Sequence, residues 1–137
     1  MSPIDLIKKR VLVVGANGML GQRVIEFYSV FKDVELLATS VEDKFVFEGL
    51  EYVQSDISNR IEIKKVIKDF CPDFIINAAA FTNVDLSETE RELAWKINVK
   101  GVEYLSESAR VLDSHLIHVS TDYIKKKKNG PYSENDI

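Results

Sequence analysis

The segment Gly15-Ala-Asn-Gly18-Met-Leu-Gly21 carries three glycines, each three residues from the next. It follows the apolar run Arg10-Val-Leu-Val-Val14 and opens a stretch with apolar positions at helical spacing. A strand, a glycine-rich turn and a helix in that order suit a dinucleotide pyrophosphate. Gly15 permits the sharp turn, Gly18 leaves room for phosphate against the backbone, and Gly21 lets the helix pack close to the strand. The helix start adds free N–H groups and the positive end of its dipole. Asn17 sits inside the same turn and is counted with the candidate cofactor-binding residues. The spacing is GxxGxxG rather than the commoner GxGxxG fingerprint, so a purely structural turn is the alternative.

Three further segments follow strand-like runs. The tip of the second run is Thr39-Ser40. A carboxylate at such a tip favours NAD(H), because it bonds the 2′-hydroxyl of the adenosine ribose. Neither Thr39 nor Ser40 is acidic, so the 2′-phosphate of NADP(H) meets no repulsion there, and Lys44 is near enough in sequence to reach it. NADP(H) is therefore favoured, with NAD(H) kept open by Glu42 and Asp43. After the third run, Asp56 can accept a hydrogen bond from the adenine amino group while Ile57 packs on the base; a turn or helix cap is the other use of Asp56. After the fourth, Asn77-Ala78-Ala79-Ala80 is small enough for a flat cofactor to lie against the main chain, or for tight core packing.

Periodicity supplies the elements that must position these segments. Residues 10–14, 34–38, 52–53, 74–76 and 115–119 read as five strands, the first an apolar run suited to burial on both faces. Leu20, Val24, Phe27, Tyr28 and Phe31 mark a helix over 18–31. Ser58 or Asn59 caps a second helix with Ile61, Val66, Ile67 and Phe70 as its buried stripe, broken at Pro72-Asp73. A third runs from about 88 to 112, with Leu93, Ile97, Gly101, Leu105 and Ala109 on one face. Residues 41–49 read as loop, as does the polar tail from Lys125. This alternation predicts an α/β, Rossmann-like, doubly wound parallel sheet of order 3-2-1-4-5, with right-handed crossovers. The four segments then meet on one edge, at the carboxyl ends of the strands.

With 137 residues the chain suits a single domain, a dinucleotide-binding unit over 1–137. Its 45% hydrophobic and 29% charged residues are an ordinary globular balance. A net charge of −4 gives no electrostatic case for nucleic acid or an anionic membrane. No apolar run approaches the roughly 18 residues of a spanning helix, and the polar start MSPIDLIKKR is not a secretory signal. The single cysteine, Cys71, excludes an internal disulfide and fits a cytoplasmic setting; it is expected as a small core residue. No metal site is read.

Together the segments resemble the extended short-chain dehydrogenase/reductase family. Asn77-Ala-Ala-Ala-Phe-Thr-Asn-Val-Asp85, Glu88, Ile97-Asn98, Val119-Ser-Thr-Asp-Tyr123 and Gly130-Pro-Tyr-Ser-Glu134 narrow the resemblance to the dTDP-4-dehydrorhamnose reductases, which reduce a 4-keto sugar nucleotide. The resemblance runs from about residue 10 to the end. It implies that Thr121 is the catalytic hydroxyl that polarises the substrate carbonyl, and that Asp122 and Tyr123 line the sugar-nucleotide pocket. It implies that Gly18, Met19 and Leu20 contact the pyrophosphate, and that Asp56 and Ile57 hold the adenine. It places Ala79, Ala80 and Phe81 beside the ribose and nicotinamide, and adds Val119 at the end of the fifth strand. Asn98 corresponds to a helix asparagine near the family's proton relay; a solvated or packing role is the alternative. Asp85 and Glu88 match the pattern and receive no chemistry beyond a cap or a favourable charge at a helix start.

Two features depart from that family. Lys125-Lys-Lys-Lys128 stands where it has a Phe and a Gly, as a basic lip or simply a solvated loop. Its proton-donating tyrosine and partner lysine are expected beyond Glu134, and the sequence ends at Ile137, so the expectation is a cofactor half that is inactive alone. Tyr28/Lys32 and Tyr123/Lys127 mimic the Tyr-x-x-x-Lys spacing. The first pair falls at the far end of a helix, the second where no helix turn is expected. Two other readings remain: a non-catalytic nucleotide-binding regulator like the beta subunit of methionine adenosyltransferase, and a sugar-nucleotide epimerase or dehydratase.

Overall fold

The computed structural model describes residues 8–79 and 88–119. Five strands form one parallel sheet: β1 (Lys9–Val14), β2 (Val34–Ser40), β3 (Glu51–Gln54), β4 (Phe74–Asn77) and β5 (His115–His118). Their order is β3-β2-β1-β4-β5, as the alternation of elements predicts. The switch in direction falls between β1 and β4, where Val14 pairs with Asn77.

The apolar run of β1 is explained by burial on both faces. Val11 and Val13 point into a cluster with Ile25 of α1 (Met19–Tyr28), and Leu12 and Val14 into a second with Ile63 and Ile67 of α2 (Arg60–Phe70). Leu105 and Ala109 of α4 (Val102–Leu112) complete that second cluster. Each such fully buried aliphatic side chain contributes about 1.5–3 kcal/mol. The loop between β2 and β3 covers the α1 face with Phe45, Phe47 and Leu50.

Helix α2 starts at Asn59, whose side chain accepts from the Glu62 amide at 3.2 Å. Ser58 does not cap it; its amide and hydroxyl both donate to Asp56 Oδ1. Val66 and Ile67 are buried as expected and Phe70 packs partly buried against the core, but Ile63 takes the place expected of Ile61, which is 81% exposed. Cys71 is exposed rather than a core residue. It is the C-cap of α2 with φ of 52°, and the left-handed turn there directs its side chain outward.

The expected long helix is continuous in chain but not in kind. Helix α3 (Glu88–Trp95) passes through a π-helical segment, Lys96–Gly101, into α4. Leu93, Ile97, Gly101, Leu105 and Ala109 are spaced by four residues, which on an α-helix drifts ~40° per step. The wider turn absorbs part of that drift. It keeps Ile97 and Gly101 toward the sheet while Leu93 is left 42% exposed.

Candidate dinucleotide site

The turn after β1 is built from backbone. Gly15 has φ of +79°, and both its amide and that of Ala16 donate to the Thr39 carbonyl, at 2.9 and 3.1 Å. A Cβ on Gly15 would stand 2.6 Å from the Ala79 backbone. A Cβ on Gly21 would strike the Gly15 carbonyl and stand 2.7 Å from Ala16 Cα. Packing therefore demands glycine at both positions. Gly18 differs: among the described residues a Cβ there would meet only the Gly15 carbonyl, at 3.4 Å, with an ordinary φ of −73°. Nothing in the described residues requires glycine at 18.

Gly18 is also the N-cap of α1, without a side-chain cap, and no acidic residue lies in the first turn. The amides of that turn have no partners within the helix. They and the helix dipole offer a place for an anion.

A cleft of about 430 Å³ opens at this point. Its walls are Val14, Gly15, Gly18, Ser40, Val41, Glu42, Ser55, Asp56, Ile57, Ala78, Ala79, Leu93 and Ile97. Segments after β1, β2, β3 and β4 thus converge on one sheet edge, at the direction switch where an open α/β sheet takes its ligands. Asn77 secures the β4 side: its Oδ1 accepts from the Ala79 amide at 3.0 Å, and its Nδ2 lies 3.2 Å from His118 Nδ1.

Of the candidate cofactor residues, Gly15, Gly18, Ser40, Asp56, Ile57, Ala78 and Ala79 line the cleft. Thr39 does not. Its side chain is fully buried and its hydroxyl lies 2.5 Å from that of Ser55, so it braces β2 against β3 beneath the floor. Met19 is exposed and Leu20 half-buried on α1, neither in the cleft wall. Gly21 is buried under the turn, and Asn98 is exposed within the π-helical segment. Val119 follows β5, its amide donating to the Asn77 carbonyl at 2.9 Å. Ala80, Phe81, Asp85, Thr121, Asp122, Tyr123 and Lys125–Lys128 lie outside the described residues. Tyr28 ends α1 in an aromatic group with Phe27 and Phe31, far along the helix from the turn.

From residue 9 to residue 137 the sequence matches the family described as the RmlD substrate binding domain. The chain belongs to that family. A dTDP-4-dehydrorhamnose reductase of Aggregatibacter actinomycetemcomitans is 39% identical over 129 residues, 93% of this chain and 40% of the relative. The methionine adenosyltransferase 2 subunit beta of Danio rerio is 34% identical over 130 residues, 93% of this chain and 38% of that one. A solved structure described as a hypothetical dTDP-4-dehydrorhamnose reductase from Sulfolobus tokodaii superposes with a TM-score of 0.68 at 35% identity, covering 83% of this chain and 40% of its own. The chain spans about two fifths of the length of these relatives.

In this RmlD-family chain the cleft has walls to which the motifs gave no role. Leu93 and Ile97 close it from the long helix. Gly101, one turn further on, packs on Ile57, where a Cβ would stand 2.8 Å from Ile57 Cγ1. The spacing of those residues by four was the sequence signal for Leu93 and Gly101, and Ile97 stood in the Ile97-Asn98 motif as well. Glu42 is the other addition. Its Oε1 accepts from Ser40 Oγ at 2.7 Å and from Asn17 Nδ2 at 3.1 Å. Those two hydrogen bonds, Ser40 first, hold the Glu42 carboxyl below its ordinary range. Asn17 also bonds the Lys44 carbonyl and the Val46 amide, tying the glycine turn to the β2–β3 loop. Tyr52 donates to the Ser40 and Glu42 carbonyls from below. Among the described residues no cluster suits a metal ion, and no helix is long and apolar enough to cross a membrane.

Proposed function

We propose that this chain is the nicotinamide-dinucleotide-binding part of a sugar-nucleotide reductase similar to dTDP-4-dehydrorhamnose reductase. The observation that carries the reading is Gly18. It is a glycine that packing among the described residues does not require, at an uncapped helix start, in the wall of a cleft that gathers Asp56, Ile57 and Ala79. A pyrophosphate lying against its Cα, beside the free amides of the first turn of α1, gives the missing reason for glycine; the Gly18 amide itself donates to the Gly15 carbonyl at 3.1 Å. The two halves of the dinucleotide then extend in opposite directions. Adenine goes toward Asp56 and Ile57, and the nicotinamide side toward Ala79 and the residues after it.

A bound nicotinamide supplies a hydride to the carbonyl carbon of a 4-keto sugar nucleotide. Thr121 donates a hydrogen bond to that carbonyl oxygen and stabilises the charge that develops there. Asp122 and Tyr123 hold the sugar nucleotide. The resulting alkoxide needs a proton, and neither Tyr28/Lys32 nor Tyr123/Lys127 is assigned that role. A positioned general acid contributes about 10²–10⁴-fold, so the 137 residues tested alone are expected to bind without enzyme-like turnover.

The test is calorimetric titration with NADH and NADPH, followed by titration of the dinucleotide complex with a dTDP-sugar. Saturable binding of both, the second weakened by Asp122→Ala, supports the reductase reading. Failure of both dinucleotides to bind refutes it. The 34% identity to a methionine adenosyltransferase beta subunit favours one alternative, a non-catalytic dinucleotide-binding regulator. That alternative expects dinucleotide binding, indifference to the dTDP-sugar, and a complex with a methionine adenosyltransferase catalytic chain.

A further inference from the structure

The adenosine ribose joins pyrophosphate to adenine, so in this cleft it must lie between Gly18 and the Asp56-Ile57 wall. The residues lining that interval are Ser40, Val41 and Glu42. Glu42 is two residues beyond the strand tip in sequence, yet the structure folds it back. Ser40 Oγ and Asn17 Nδ2 both bond Oε1, so the carboxylate, though exposed, is held over the tip of β2. The remainder of the lining is equally telling. Among the described residues it holds two carboxylates, Glu42 and Asp56, and no lysine or arginine. Lys44, the cation nearest in sequence, is exposed and outside the lining, with its carbonyl fixed by Asn17.

We infer that Glu42 is the coenzyme-specificity residue, and that this cleft selects NAD(H) over NADP(H), reversing the preference suggested by Thr39-Ser40. The inference rests on the dinucleotide reading above. The Glu42 carboxylate accepts a hydrogen bond from a ribose 2′-hydroxyl and repels a 2′-phosphate, which adds nearly two negative charges. Among the described residues no side chain in the wall offers a compensating cation. Asn17 is a positioning residue: it holds the carboxylate in place while joining the glycine turn to the same loop.

The experiment is calorimetric titration of the chain with NADH and NADPH, repeated with 5′-AMP and adenosine 2′,5′-bisphosphate, on wild type and Glu42→Gln. The glutamine keeps an acceptor for Ser40 and removes the charge. NADH is expected to bind wild type at least about 10-fold tighter than NADPH, or about 1.4 kcal/mol. Glu42→Gln should bring the two within about 3-fold, mainly by tightening NADPH, and the AMP pair should follow. Raising salt from about 0.05 to 0.5 M should shrink the wild-type ratio, because an exposed charge repulsion is screened whereas a steric block is not. Saturable binding with NADPH equal to or tighter than NADH overturns this inference and leaves the dinucleotide site standing. A wild-type ratio unchanged in Glu42→Gln overturns it too. Absence of binding by any of the four ligands overturns the dinucleotide reading itself.

Discussion

Replacing the glycines of the β1–α1 turn one at a time separates what the fold needs from what a ligand needs. Alanine at 21 would drive a methyl group into the Gly15 carbonyl, 2.7 Å from Ala16 Cα and 2.8 Å from Gly15 C. All three atoms are backbone, so α1 has to move off β1. Overpacking of this kind costs about 1–3 kcal/mol and sometimes more. Alanine at 15 adds a left-handed φ of +79°, at about 1–2 kcal/mol, to a 2.6 Å clash with Ala79. Position 18 carries neither burden: the nearest atom is at 3.4 Å and φ is −73°. The N-cap preference for glycine over alanine is expected to cost no more than about 1 kcal/mol. In a domain of this size 1 kcal/mol moves Tm by about 3–6 °C. Gly18→Ala and Gly18→Val are therefore expected within about 6 °C of wild type by circular dichroism, while Gly21→Ala loses about 5–15 °C or does not fold. Dinucleotide affinity should show the opposite pattern at 18, with Gly18→Val at least about 10-fold weaker by calorimetry. If Gly18→Val destabilised the fold as much as Gly21→Ala, or bound as wild type does, the argument from Gly18 to a phosphate would fail.

Two further outcomes follow from the same residues. Thr39→Val should destabilise the fold by about 1–3 kcal/mol, because it leaves the buried Ser55 hydroxyl without its partner; a denaturant midpoint equal to wild type would contradict the brace between β2 and β3. The Glu42 carboxyl is depressed in the fold by Ser40 and then Asn17, so the unfolded chain takes up its proton first on acidification. Its contribution to stability is thus complete above the ordinary value of 4.5 and is lost as pH falls through the depressed folded value. The Tm difference between wild type and Glu42→Gln should stay level from neutral pH down to about 5 and then narrow; a difference that widens with acid would reverse the assignment.

The sheet was legible because its signals are local. A run as short as Val11–Val14, ending at a glycine turn, suits a strand buried on both faces, and the alternation of such runs with amphipathic stretches points to the order found. The glycine turn, Asp56, Ile57 and the Ala78-Ala79 pair were legible because each follows a strand end, and strand ends meet at one edge. What stayed hidden depends on contacts across the chain. Ile61 and Ile63 are equally apolar, and only the angle at which α2 lies on the sheet decides which is buried. Glu42 belongs to an irregular loop, and Asn17, 25 residues earlier, is what folds it over Ser40. Thr39 carries the right residue type at the right strand tip, yet side chains alternate along a strand, and its hydroxyl faces the core.

The π-helical segment also sets a rule of phase for the long helix. Successive residues of an α-helix are ~100° apart around its axis. A π turn holds one residue more than the hydrogen-bond frame on either side expects. Removing a single residue between Lys96 and Gly101 would let the two frames merge into one ordinary helix, and because the wide turn already takes up most of the ~100° of the extra residue, the sections on either side would keep nearly the same relative facing. Straightening the segment without that deletion would instead turn Leu93 by most of ~100° relative to Leu105 and Ala109. Those two would keep their places in the core, but Leu93 would swing off the cleft. The helix therefore works as two keyed sections, one registered to the core and one to the cleft, and the wide turn is the key between them.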